Sequence, residues 1–513
     1  MTGDRRGTSP RATLLRSARL VPVRSAAPSD SPVDVRIVDG VVTEVSAGLE
    51  LRPGELVLDA GGRWALPGLW DHHVHMTQWA RTRVQLDLTG SADAGEVLDR
   101  LTRHVAGLPG SAAAVLGYGY RSGSWRDRPT VAALDAAVAD RPVVLISGDA
   151  HNGWLNSRAL QLFGVPPVAG PLDENEWFPV FARLPELPLD RAEQERAYRE
   201  AVAAAASLGV VGIVDMEFGA GYADWPRRIA EGIDGLRVRP AVYPEGLDDV
   251  IASGLRTGQV LEATRRVTMG PLKIISDGSL NTRTASCCEP FVGVRPDEHP
   301  FGKQNYDPGE LTALLTRARE HGLEAAVHAI GDAAATIALD AFEESGATGS
   351  IEHAQLMRFR DIERMGRLGV RGSVQPAHLL DDRGISELVW PDRLDRCFAL
   401  RSMVGAGVAL VLGSDAPVAP LDPWLAMAAA VHRGLPDDPA WNPAEALTRA
   451  EALAASTDGQ PTLAPGGRGD VVLLDHDPLA PAGDSASAAT VLRGVRVAAT
   501  LVAGRPTYLA PGW

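Results

Sequence analysis

Two histidines separated by one residue, His73 and His75, directly follow the apolar run ALPGLW. In an extended strand, side chains two apart project to the same side, so both imidazoles face one way and His72 faces the other. At the carboxyl end of a strand, such a pair offers neighbouring nitrogens to one divalent ion. Three more ligand-capable side chains close apolar runs in the same manner: His328 after LEAAV, His353 after GSIE, and Asp415 after VALVLGS. Taken singly, each has an ordinary reading, a hydrogen-bonded histidine or an aspartate capping a helix. Four strand ends of this kind in one chain point instead to a common metal centre. Lys273 lies inside the apolar run PLKII. Burial disfavours the ammonium form there and makes a neutral amine available; a salt bridge to Asp277 or another acid is the plain alternative.

These side chains need a scaffold that gathers strand ends. Eight short apolar runs can serve: ALPGLWDHHVH, GVVGIVDME, RVRPAVYP, PLKIISDG, EAAVHAIG, SIEHAQ, VRGSVQP and VALVLGSDAP. Helical stretches rich in Ala, Leu and Arg separate most of them, the pattern of parallel βα units, and eight is the number a closed (β/α)8 barrel requires. The sequence therefore predicts an α/β fold with a TIM-like barrel over residues 64–84 and 208–462. Residues 85–207 are too long for one connecting helix and carry strand-like runs of their own, so they read as an inserted lid or substrate domain. Residues 13–63 and 463–513 alternate apolar and polar positions between Gly-rich turns, which predicts a small β-sandwich of short antiparallel strands built from both termini. Residues 1–12 read as a disordered tail.

Charge narrows the partners. Across 513 residues the formal net charge is −15, which disfavours phosphate backbones and anionic membranes. No run approaches the roughly 20 apolar residues of a membrane span. Arg16 and Arg19 interrupt the only apolar stretch near the start, which argues against a secretory signal. Three cysteines, two of them adjacent (Cys287 and Cys288), make no disulfide framework and are read as structural. The expectation is a cytoplasmic protein acting on a small molecule, as a homodimer, with neither nucleic acid nor membrane as partner.

The segments PGLWDHHVH, LKIISDGS, VHAIGD, IEHA and GSDAPV, in that order, resemble the amidohydrolase superfamily. GYGY through RPVVLISGDAHNGWLNSRAL, VQPAH and LAPGGRGDVVLLD resemble its amidohydrolase family 3 (YtcJ-like) branch, and the likeness runs from about residue 14 to 508. The short stretch TDGQPTLAPGG departs from the pattern at the last helix–sandwich junction, away from the metal ligands.

The resemblance implies two divalent ions. His73, His75 and Asp415 would hold one, His328 and His353 the other, with Lys273 bridging them as a carboxylated lysine. Zinc suits these donors, and Fe, Mn, Co or Ni would fit. It also implies hydrolysis of carbon–nitrogen (non-peptide) bonds in a small amide, N-formyl or N-acyl compound by metal-activated water. Asp415 would act as general base and then acid, and His151 would reach the substrate from the insert. Ester or phosphoester hydrolysis, deamination, isomerisation and decarboxylation use the same ligands, and a catalytically silent ligand-binding member is the alternative outside catalysis. Asp332, Arg283, Gln375 and His378 lie just past strand ends, where they could touch substrate, cap a helix or pair with a charge.

Overall fold

The structure is a computed structural model. It describes residues 12–513 except 28, 30, 84, 109–113, 121, 123–124, 148–151, 173, 182, 185–186, 188–190 and 294–298. The tail over residues 1–11 and His151 lie outside the described residues. The chain divides into two compact units, Met1–Trp79 with Val202–Trp513, and Ala80–Ala201. No helix among the described residues is long and apolar enough to cross a membrane.

All eight apolar runs form strands: Leu69–Val74, Val210–Asp215, Arg237–Pro240, Leu272–Ile275, Ala325–Ala329, Gly349–His353, Arg371–Val374 and Leu410–Leu412. Every pairing among them is parallel. They do not make one closed ladder: the first three form one sheet and the other five another. Single parallel bridges, Val74–Ala416 and Val242–Leu272, join the two sheets at their edges. The sequence explains why neither seam extends. Pro240 and Pro271 bring no N–H to one of them. At the other, Asp415 turns into the left-handed region (φ 59°) and ends the extended backbone.

Helices between the strands present small apolar residues to this body. Asp332–Ser345 buries Ala334, Ala335, Ala338, Ala341 and Phe342 and ends on Gly346 in the left-handed conformation. The apolar core formed here includes Ile274, Val327, Ile351 and Leu412. Apolar burial of this kind contributes about 25 cal/mol per Å² and dominates the stability of such layers.

The terminal segments depart from the expected purely antiparallel pairing. They form one continuous eight-stranded sheet that contains parallel as well as antiparallel pairs. The reason lies in Ala12–Leu20. Its first half pairs in parallel with Leu56–Asp59 and its second half with Trp64–Pro67. A register shift between Leu15 and Ala18, with Ser17 at φ 54°, separates the halves. Trp64–Pro67 then pairs antiparallel with Val471–Leu474, so both ends of the chain share this sheet.

The unit Ala80–Ala201 has its own four-stranded sheet, in the order Gly153–Leu155, Val143–Ser147, Val115–Tyr120, Leu86–Asp87. Its helix Ala94–Ala106 buries Ala94, Val97 and Leu101, three positions on one helical face, and is capped by the Asp93 carboxylate, which accepts from Glu96 N. Buried Asn156 stitches this unit: its carbonyl accepts from Val143 N and Ala159 N, and its amide donates to Val138 O and Arg141 O.

Candidate metal centre

His73 and His75 sit at the end of Leu69–Val74 and are tied to the segment that carries Asp415. Asp415 N donates to His73 O (2.7 Å) and His75 N donates to Ala416 O (2.9 Å). Gly413 permits this approach, since a Cβ there would lie 2.7 Å from His73 N. Buried Asp71 adds a further tie, its Oδ1 accepting from His73 N (3.1 Å) and Ser414 N (2.9 Å). Burial pushes the Asp71 carboxyl up to about 7.

Asp415 is the hub. Its Oδ1 lies 3.2 Å from His75 Nε2 and 3.6 Å from His73 Nε2, and its Oδ2 lies 3.8 Å from His378 Nε2. Two groups of donors, His73–His75–Asp415 and His353–His378–Asp415, each hold their ligand atoms within 4.8 Å of one another. Both His353 (φ 70°) and Asp415 (φ 59°) adopt the left-handed backbone that non-glycine residues rarely take. Such conformations persist where the surroundings fix a side chain for a purpose.

The charge state of His73 follows from its partners. Its Nδ1 meets Glu352 Oε2 at 2.6 Å, and Glu352 Oε1 accepts from Ser350 Oγ at 2.6 Å. Burial, with Lys273 nearby, pushes the His73 imidazole down to about 4, so near neutrality it carries one proton. Although burial alone would raise Glu352, its hydrogen bond to His73 holds the carboxyl down at about 2. The proton therefore sits on Nδ1, facing the carboxylate, and Nε2 keeps a lone pair, the arrangement that orients a metal-binding histidine. Burial likewise holds His353 well below the ordinary histidine value. Asp415 stays ionised: burial opposes this, but His73, His75 and His353 hold its carboxyl well below the usual range.

Lys273 is 1% exposed, with Nζ 3.5 Å from His73 Nε2. Desolvation lowers its amine, more than Glu352 and Asp415 raise it. Asp277, the acid considered for a salt bridge, is engaged elsewhere: it accepts from Ser286 N, Ile330 N and Gly331 N. His328 stands beside the cluster, its ring centroid 4.5 Å from that of His353. Its Nε2 is 3.1 Å from Gly278 O and 3.3 Å from Asp277 Oδ1, which leaves Nδ1 on the other side of the ring.

Among the described residues, His75 Nδ1, His353 Nδ1 and His378 Nε2 are buried without a hydrogen-bond partner. A buried lone pair with no donor is costly, and a cation relieves it. The donor set, imidazoles around one carboxylate, fits a divalent ion of the zinc type.

The remaining predicted positions separate. His378 falls within a donor group, so it stands closer to the chemistry than a substrate contact. Gln375 is buried and donates to Ser373 O (3.3 Å), with its Oε1 unpartnered. Arg283 is half-buried in a turn at φ 54°. Asp332 takes the structural alternative, at the start of its helix: it accepts from Cys288 N (2.8 Å), and Arg396 (3.0 Å) and Arg358 (3.4 Å) pair with Oδ2. Sequence reasoning missed Glu352, whose signal was an acid within an otherwise apolar strand. It also missed Phe218, which is 58% exposed and stacks on the His75 ring at 6.3 Å.

A model of the amidohydrolase family matches residues 56–508. The chain belongs to the amidohydrolase family. Protein LONG AFTER FAR-RED 3 of Arabidopsis thaliana is 28% identical over 79% of this chain and 75% of its own length. A Bacillus subtilis (strain 168) protein described as an amidohydrolase, YtcJ, is 27% identical over 87% of this chain and 91% of its own. The N-substituted formamide deformylase of Arthrobacter pascens is 25% identical, covering 87% and 90%. Among solved structures, a metal-dependent hydrolase of Pyrococcus horikoshii OT3 superposes with a TM-score of 0.79 at 26% identity, covering 92% of this chain and 98% of that one. Family and neighbours together make this amidohydrolase a hydrolase with a TIM-like α/β domain and a metal-binding character.

Proposed function

We propose that this amidohydrolase cleaves carbon–nitrogen bonds other than peptide bonds in small amide, N-formyl or N-acyl compounds, with N-substituted formamides the first class to test. The observation that carries the reading is Asp415, one ionised carboxylate set between two pairs of histidines. The similarity to the Arthrobacter deformylase supports the choice of substrate class.

In this reading His73, His75 and Asp415 would hold one divalent ion, zinc favoured, and His353 with His378 or His328 a second. Lys273, a buried amine beside His73, would serve as an anionic oxygen ligand once carboxylated by CO₂. When bound, such ions supply Lewis acidity that acidifies water and polarises a carbonyl. Asp415 accepts the proton from the attacking water and delivers it to the leaving nitrogen as the C–N bond breaks, giving amine and carboxylate. Glu352 keeps the His73 tautomer fixed throughout. The eight strand ends surround the site as a (β/α)8 barrel, and the enzyme works in the cytoplasm on a small molecule.

The test is elemental analysis of the purified chain, together with release of formate from N-alkylformamides. Close to two metal equivalents and metal-dependent formate release are expected. About one equivalent would assign Lys273 the role of a plain buried amine. Turnover of esters or phosphoesters in the absence of any amide would overturn the carbon–nitrogen reading, and a chain that binds no added metal would sink the centre itself.

A further inference from the structure

We infer that Phe218 is a specificity-determining residue that receives an aromatic substituent of the substrate; this rests on the amide-hydrolase reading and names the class of amide. An exposed aromatic ring is informative here because it packs on a candidate metal ligand, and small-molecule sites are lined by apolar and aromatic side chains beside a few polar groups. Phe218 follows Val210–Asp215, the strand that pairs with Leu69–Val74 on one side. Its ring is 58% exposed, yet it lies nearly parallel to His75 (27°, 6.3 Å) and to Tyr243 (27°, 4.4 Å). One ring edge is thus fixed against a candidate metal ligand while the rest stays open.

The segment that carries Phe218 is pinned by an arrangement that a merely solvent-exposed loop would not need. Asp215 Oδ1 accepts from Met76 N (3.1 Å) and Glu217 N (3.2 Å), and Trp225 Nε1 donates to its Oδ2 (2.7 Å). Glu217 in turn accepts from Gln78 N (3.0 Å), Gln78 Nε2 (3.2 Å) and Phe218 N (3.1 Å). Tyr243, buried behind the ring, is anchored by its hydroxyl donating to Met216 O (2.8 Å). Val418, 68% exposed, lies two residues past Ala416, which bridges Val74 at the end of the strand that carries His73. A rigid, half-open aromatic ring held against His75 fits a planar apolar group whose amide lies over the metal centre. Ring pairs of this kind prefer offset stacking at about 4.5–7 Å, the spacing Phe218 keeps with His75 (6.3 Å).

The experiment compares two pairs of probes that differ only by a phenyl ring, on the metal-loaded full chain. Binding of 2-phenylethylamine and of ethylamine is read by ligand-observed NMR titration, and turnover of N-(2-phenylethyl)formamide and of N-ethylformamide by formate release. The wild type should bind the phenyl probe more tightly. Phe218→Ala should lower that preference about ten-fold, Phe218→Leu should lower it partly, and Phe218→Tyr should keep it. Equal affinity of wild type and Phe218→Ala for 2-phenylethylamine would overturn the inference. Failure of both formamides to turn over, with the binding preference intact and dependent on Phe218, would overturn the amide reading and leave the aromatic subsite supported.

Discussion

Two of the regions of buried charge in the larger unit lie beside one strand, Leu69–Val74. His73 looks into the donor cluster around Asp415; its neighbour His72 lies 3.6 Å from Asp458 in a second cluster. There Arg239 grips both oxygens of Asp458 (2.8 and 2.7 Å) and Arg237 both oxygens of Asp470 (2.7 and 3.0 Å). Arg468 adds a third contact to Asp458 (2.8 Å), and the Arg239 guanidinium lies 4.1 Å above the Trp70 ring. The two histidines are equally desolvated, each pushed down to about 4 by burial. Burial and a shifted histidine therefore do not mark a site. The partners differ. A guanidinium saturates a carboxylate with donors and has no lone pair to give, whereas an imidazole, such as those grouped around Asp415, has a ring nitrogen able to bind a cation. One region fastens the molecule, and the other is built to hold a cation.

Substitutions that convert one kind of partner into the other test this contrast. The largest effect is expected at Asp415: Asp415→Asn should cut turnover at least about a hundred-fold with a much smaller change in substrate binding, read from kcat against KM. Equal losses in both would reduce Asp415 to a structural role. Lys273→Ala should lose most activity and retain less of the second metal, measured by elemental analysis; full activity with both metals would remove the bridge. Glu352→Gln, which keeps shape but weakens the hold on His73, should lower metal affinity about 10- to 100-fold by chelator competition.

The smallest effect belongs to the fastening region. Arg239→Ala should cost about 2 kcal/mol in urea unfolding, less than breaking an isolated buried pair because Arg468 remains on Asp458. Metal content should stay at the wild-type level. The arginines hold Asp458 down at about 2 against the pull of burial. A depressed carboxyl contributes stability that is complete above its unfolded value near 4 and is lost as pH falls toward 2. The gap between wild type and Arg239→Ala should therefore be full above about pH 4 and shrink below it. A gap that grows on acidification would break the assignment.

The parallel strands and the candidate ligands at their ends were legible because both signals are local: an apolar run buried on two faces, then a side chain able to bind metal. The donor grouping was less so. His378 follows a strand end as His353 does, but only the fold shows that it converges on Asp415. Glu352 was hidden because an acid in a strand reads equally as an edge position, and its meaning depends on His73, 279 residues away. The parallel pairs of the terminal sheet were not legible because the register shift at Ser17 rests on a backbone conformation that serine rarely takes and no local pattern announces.

That sheet also sets a timetable for synthesis. One edge of Trp64–Pro67 is completed only by Val471–Leu474, roughly 400 residues later in the chain. At translation rates of about 5–20 residues per second, this apolar edge waits roughly 20–80 s for its partner. During that interval the nascent N-terminal strands expose a template for pairing with other chains, which makes them the segment most dependent on chaperone shielding before the polypeptide is released.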